Sequence, residues 1–245
     1  MKSKPWKMTL IAVAAFIAVF VITAAVLFSE VRMNPLPTGH VEGDVFALKG
    51  KMANMFLVGK PGHYVAIDAD DDRAIVEREL LQLKIAPAEV RAVFLTHSDR
   101  DHVGALSLFP NARVYLSKDE VPMITGVKSR FVFMHNSIPS AYTGLSDGER
   151  IVADGADVTA ITTPGHTPGS MSYLVEGRYL FTGDTLALKD GHVTLFFKVF
   201  NMDEKAEGDS IRKLRAYSHA AFLFTAHTGM SSHVEDAFAQ MTLER

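Results

Sequence analysis

Polar and apolar positions divide the chain into two regimes. From Met8 to Phe28 there are 21 residues with neither a charge nor a glycine. As a helix this run spans about 30 Å, enough to cross the hydrocarbon core of a bilayer. Lys2, Lys4 and Lys7 precede it, with Trp6 suited to the interface, whereas Glu30 and Arg32 cancel each other after it. The positive-inside rule therefore predicts a cytoplasmic basic segment over 1–7, a signal-anchor transmembrane helix over 8–28 and an extracytoplasmic remainder. A cleaved signal peptide is the competing expectation and would give a secreted protein; its apolar region is shorter and ends in small residues, for which only Ala24-Ala25 offers a site.

Beyond that run the period changes. Residues 29–40 contain Asn34-Pro-Leu-Pro-Thr-Gly39, a stiff connector in which two prolines remove backbone donors. A globular domain is expected over 41–245. Short β-type runs recur at Val45–Leu48, Met55–Val58, Tyr64–Ile67, Ala92–Leu95, Arg113–Leu116, Val158–Thr162, Ser172–Val175, Tyr179–Phe181, Val193–Phe197 and Ala221–Thr225. Helical patterns interleave. Asp72 caps one whose Val76, Leu80 and Leu83 share a face, a short one covers Val103–Leu108, Asp203 starts one reaching Tyr217, and Ser231 or Ser232 caps a last one to about Met241. Strands that alternate with helices predict an α/β (α+β) domain of layered sheets with helices outside. From Lys118 to Gly148 Pro122, Gly126, Pro139 and Gly144 interrupt any period, as in a functional loop. Phe131, Phe133 and Tyr142 there either line a pocket or pin the segment to the core.

Composition narrows the function. With 245 residues, 48% hydrophobic and 22% charged, the chain holds a sizeable core, so disorder is excluded for its bulk. A net charge of -3 supplies no basic stripe for nucleic acid, and residues 8–28 make the bilayer an expected partner. No cysteine is present, which removes thiolate ligands, cysteine nucleophiles and disulfides together.

The chemistry concentrates in THSDRDHVG, residues 96–104, directly behind Ala92–Leu95. In an extended segment positions i, i+2 and i+4 share a side, so His97, Asp99 and Asp101 face together and His102 enters from beside them. Four ligand-type groups from one turn serve two metal ions when later loops close the cage. Such loops are present: TTPGHTPGS places His166, FTGDT places Asp184 and FTAHTG places His227, each a few residues after a β-run. Taken singly, a capped helix start, a turn histidine and an Asx turn account for these residues; their joint occurrence does not have so plain an explanation. His40, His63, His135, His192, His219 and His233 lack ligand spacing and are expected at the surface or in packing.

HxDxDH at 97–102, GH at 165–166, GD at 183–184 and a terminal His227 resemble the metallo-β-lactamase superfamily of binuclear metallohydrolases, in order and over nearly all of the chain after residue 45. Asn54 in ANMFLV and Asp68 in AIDAD resemble its opening strands. The resemblance implies a four-layer αββα sandwich with metals at one edge. It also implies His97, Asp99 and His166 around one metal, Asp101, His102 and His227 around the second, and Asp184 bridging. The family has HxHxDH, so Asp99 is a departure. Two divalent ions against three aspartates and a bridging hydroxide leave zero net charge, where HxHxDH leaves one positive charge. Such a site holds its water at a higher pKa and tolerates Fe or Mn beside the expected Zn.

The activity implied by the resemblance is hydrolysis of an ester-like bond in a small-molecule substrate, a lactone, thioester or related carbonyl, by a metal-bridging hydroxide, with Asp101 and Asp184 as catalytic residues. β-Lactamase branches that use a cysteine ligand where Asp184 stands are disfavoured. A non-haem di-iron redox protein resembling the flavodiiron core, which has an acidic residue at the second ligand position, is the alternative; a non-catalytic metal-binding module is the third.

Overall fold

The computed structural model describes residues 10, 12–21, 33–130 and 135–243, in two compact units, Met1–Arg32 and Met33–Arg245. In the first, residues 12–21 are helical and their apolar side chains, Val13, Phe16, Ile17, Val19, Phe20 and Val21, are exposed. No helix among the described residues is long and apolar enough to cross a membrane, so the span expected over 8–28 is not supported; residues 8, 9, 11 and 22–28 of it lie outside the described residues.

The second unit is built on two sheets. The first has seven strands in chain order: β1 (Gly39–Glu42), β2 (Val45–Lys49), β3 (Asn54–Lys60), β4 (His63–Ile67), β5 (Val90–Phe94), β6 (Arg113–Ser117) and β7 (Tyr142–Leu145). Its first four strands are antiparallel, while β4 to β7 run parallel. The second sheet contains β8 (Arg150–Ala153), β9 (Ala156–Thr162), β10 (Met171–Val175), β11 (Tyr179–Phe181), β14 (Phe222–Phe224) and β15 (Met230–Ser231), in the order 15-14-11-10-9-8. A ribbon of β12 (Ala187–Lys189) and β13 (His192–Thr194) stands apart.

Side-chain alternation divides the strands between layers. Along β3 to β5, Phe56, Val58, Val65, Ile67, Ala92 and Phe94 enter the core between the sheets, where Val158, Ala160, Met171, Tyr173, Phe181 and Phe224 meet them. The opposite residues, Met55, Leu57, Ala66, Val93 and Leu95, pack under Val76 and Leu80 of helix α1 (Arg73–Leu83). Behind the second sheet, Ile161, Leu174, Leu180 and Leu223 pack under Ile211 and Leu214 of α4 (Glu204–Leu214) and Phe238 of α5 (Val234–Ala239). The outcome is the expected αββα order, in which each large buried side chain contributes about 1.5–3 kcal/mol. Tyr173 adds a polar tie between the sheets, donating its buried hydroxyl to Leu95 O at 2.7 Å.

The expected caps hold at Asp72, which accepts from Ala74 N and Ile75 N, and at Asp203, which accepts from Ala206 N. Three elements differ from expectation. Val103–Leu108 is not one helix: α2 covers Arg100–Val103, a 3₁₀ turn covers Leu106–Leu108, and His102 lies inside α2. The strand expected over Val193–Phe197 stops at Thr194, because Phe196 gives its N–H to Glu207 Oε1 rather than to a neighbouring strand. The last helix has His233, not a serine, at its cap position. In the irregular segment lies one further short helix, α3 (Val121–Ile124). Phe131 and Phe133 lie outside the described residues, and Tyr142 pins β7 to the outer core.

The proline segment is fastened within the second unit. Asn34 N donates to His227 O at 2.6 Å, and the Asn54 side chain both accepts from Leu36 N and donates to Leu36 O.

Candidate metal centre

The loops that leave β4, β5, β9, β11 and β14 open at one edge of the two sheets, and all seven sequence-predicted residues meet there. His97, Asp99 and His166 form one group, with Asp99 Oδ2 3.4 Å from His97 Nε2 and 3.3 Å from His166 Nε2. Asp101, His102 and His227 form a second, with Asp101 Oδ2 3.6 Å from His102 Nε2 and 3.5 Å from His227 Nε2. Asp184 spans both: Oδ2 is 3.3 Å from His166 Nε2, while Oδ1 is 3.5 Å from His102 Nε2 and 3.1 Å from His227 Nε2.

Each imidazole is oriented through its other nitrogen. His102 Nδ1 lies 2.9 Å from Asp68 Oδ2, and a carboxylate only accepts, so Nδ1 carries the proton. Thr96 gives its hydroxyl proton to the same carboxylate and therefore accepts from His97 Nδ1 at 3.0 Å. His227 Nδ1 donates to Met52 O at 2.9 Å. His166 Nδ1 donates to Asn201 Oδ1 at 3.2 Å, the amide being fixed by its Nδ2 donating to Glu207. All four rings thus turn Nε2 toward the centre. The Nε2 atoms of His97, His102 and His166 and Oδ1 of Asp184 are buried without a hydrogen-bond partner among the described residues.

Such an array repels itself unless cations or protons lie within it. Burial opposes charge on His102, but Asp68, Asp184 and Asp101 outweigh it and push its pKa well above the ordinary value. Burial likewise opposes charge on His227, and Asp184 reverses the effect, raising it. His166 goes the other way, to about 4, because burial dominates there. Although burial disfavours their charge, Asp99 is held well below the carboxylate range by His97 and His166, and Asp184 by His227, His102 and His166. The donor set, imidazole nitrogen and carboxylate oxygen with second partners on every ring, fits divalent cations.

The backbone explains the precision. Asp68 follows β4 at φ 63°, in the left-handed region that aspartate adopts more readily than most non-glycine residues. Gly183, at φ 52°, lets Asp184 approach: a Cβ there falls 2.5 Å from Thr96 Oγ1. Glu120, just before α3, is fully buried and joins two ligand loops. It accepts from Ser98 N and Ser98 Oγ at 3.0 and 2.7 Å, and from Thr167 Oγ1 and Gly169 N at 2.7 and 3.0 Å.

Sequence reasoning singled out Asp68 without giving it a role, and missed Thr96, Glu120, Asn201, Arg130 and Asn136. A carboxylate closing a β-run was the available signal for Asp68; the others carry no local pattern. Arg130 matters most. Its Nη2 lies 2.7 Å from Asp99 Oδ2, and Asn136 Nδ2 donates to Asp99 Oδ1 at 2.8 Å. Arg130 therefore returns the positive charge that Asp99 removes, and the neutral site expected from the aspartate count is corrected by this guanidinium. His135, expected away from the site, lines the cavity above it.

The profile of the Metallo-beta-lactamase superfamily matches residues 48–227. A hydroxyacylglutathione hydrolase of Aeromonas salmonicida is 27% identical over 190 residues, covering 76% of this chain; the chain spans 65% of that relative's length. A probable polyketide biosynthesis zinc-dependent hydrolase of Bacillus velezensis is 30% identical over 125 residues, half of this chain and 49% of the relative. A metallo-beta-lactamase family protein of Thermus thermophilus superposes with a TM-score of 0.63 at 21% identity, over 79% of this chain and 76% of the other, a likeness of fold.

The Glu120 hub generates a stability prediction. Glu120→Ala strands four buried donors, and chemical denaturation of the metal-free protein is expected to show a loss of roughly 3 kcal/mol or more; a loss under 1 kcal/mol contradicts the hub.

Proposed function

The chain belongs to the metallo-beta-lactamase superfamily, and we propose that its site is a binuclear metal centre for hydrolysing an ester-like bond, in a lactone, thioester or related carbonyl substrate. One observation carries this reading: four imidazoles, each tied through Nδ1, present Nε2 to three carboxylates in two adjacent groups. His97, Asp99 and His166 would hold one divalent ion, and Asp101, His102 and His227 the other, with one Asp184 oxygen toward each group. Zn is the proposed metal, with Fe or Mn admitted by Asp99. Such ions supply Lewis acidity and an activated water at neutral pH.

The chain's own residues supply the rest. Asp101 is more open to the cavity than the other second-group residues, which suits it to orient the attacking water and accept its proton. Phe196, whose ring centroid lies 5.1 Å from His166 and 5.5 Å from His227, walls the site against bulk water. Residues 8–28 would anchor the protein in a bilayer, with the N-terminus cytoplasmic and the catalytic domain extracytoplasmic, a reading favoured by the exposed apolar side chains of 13–21.

Three measurements test these points. The purified protein, with Zn, Fe or Mn restored, is expected to cleave at least one simple thioester, lactone or ester. Asp101→Ala with His102→Ala should lower kcat/KM by about 10²-fold or more and reduce bound metal by one ion per chain in elemental analysis. Metal bound without hydrolysis of any of these substrates removes the hydrolase reading. Metal uptake should also release protons near neutral pH, because His102 and His227 have raised pKa values and carry protons that a cation displaces, whereas His166, at about 4, is already neutral. Affinity then weakens as pH falls, and calorimetry in buffers of different ionisation enthalpy reads the proton count; zero release contradicts the assignment. Finally, the full-length protein should stay with membranes after alkaline carbonate washing, and its recovery in the wash removes the anchor.

A further inference from the structure

We propose that the cavity above the site contains a subsite for a carboxylate carried by the substrate, built on Arg130; the inference rests on the hydrolase reading and specifies its substrate class. The cavity has a volume of about 710 Å³, the size of a small-molecule site. Met33, Met52, Val103, Phe196 and Phe200 give it apolar walls suited to an acyl chain. Arg130 and Arg100 are the guanidinium groups on it.

Arg130 is unusual in its burial. Its side chain is only 8% exposed, yet Nε, Nη1 and Nη2 have no hydrogen-bond partner among the described residues. Nη2 approaches Asp99 Oδ2 at 2.7 Å, but outside hydrogen-bond alignment. A guanidinium taken out of water with its donors unused is costly, and the fork it presents matches a carboxylate. Asp99 is an incomplete partner. Its Oδ1 is occupied by Asn136, and its Oδ2 is the oxygen turned to His97 and His166. A cation in that group draws on the same charge, which leaves Arg130 with less compensation in the loaded protein than in the metal-free one. A second anion from the substrate restores the balance. Arg100 is exposed on the same cavity and makes no ion pair among the described residues, so it adds to the attraction. Asp71, Asp99, Asp101 and Asp184 line the cavity too, so the substrate's carboxylate has to be held by the Arg130 fork itself.

The preferred substrates are therefore monoesters or monothioesters of dicarboxylic acids, in which an apolar spacer separates the scissile carbonyl from a free carboxylate. The test uses the full chain reloaded with Zn and two N-acetylcysteamine thioesters alike but for one charge, adipoyl and hexanoyl. The wild type should favour adipoyl by about tenfold or more in kcat/KM, mainly through KM. In Arg130→Gln that ratio should fall close to one, while Arg130→Lys keeps an intermediate ratio. A wild-type ratio near one overturns the subsite and leaves the hydrolase reading standing. So does an undiminished ratio in Arg130→Gln, including the case in which both substrates slow in step, because Arg130 then only supports Asp99. Hydrolysis of neither thioester by the wild type, when other ester-like substrates also fail, removes the hydrolase reading and this inference with it. The ratio is internal to each preparation, so a partly unfolded variant does not distort it.

Discussion

The Asp68 carboxylate is the constraint on which the site depends. It accepts from His102 directly, from the Thr96 hydroxyl that in turn orients His97, and from the Thr96 backbone N–H at 2.7 Å. One buried anion thereby fixes the tautomer and the direction of two rings and the start of the loop between them. Neither β4 nor β5 alone would do this. The parallel pairing of these strands, with Ile67 opposite Phe94, brings their C-terminal ends together and sets Asp68 beside Thr96. The sheet register is thus transmitted into the angle of an imidazole.

How much of this was legible depends on how local its cause is. Central strands such as Asn54–Lys60 bury residues on both faces and stand out as apolar runs. The strands that sequence reasoning missed include β1, β7, β8 and β15, the outer edges of the two sheets. An edge strand is paired on one side only and carries little apolar signal; Val152 in β8 is largely exposed. The ligands were legible because each lies in a distinctive short motif soon after a strand end. Glu120 and Asn201 were not, since each acts through partners far along the chain, 22 to 49 residues away for the bonds of Glu120 and 35 for the contact of Asn201 with His166.

Asp99 shows how a departure in a motif is absorbed. Counted alone it lowers the charge of the centre, yet a guanidinium from the irregular segment stands against it, with an amide on its other oxygen. The substitution and its compensation come from different parts of the chain. Motif-level bookkeeping therefore leaves out one positive charge, and the omission is visible only when Arg130 is placed beside Asp99 in space.

Glu120 stands near the start of the irregular segment and secures the loops of His97 and His166. Between α3 and β7, positions other than Arg130 and Asn136, which hold Asp99, can accordingly change without releasing the ties that Glu120 makes to the His97 and His166 loops. Such an arrangement separates a supporting post from the roof above it, so that selectivity can be altered in the roof while the post stays in place.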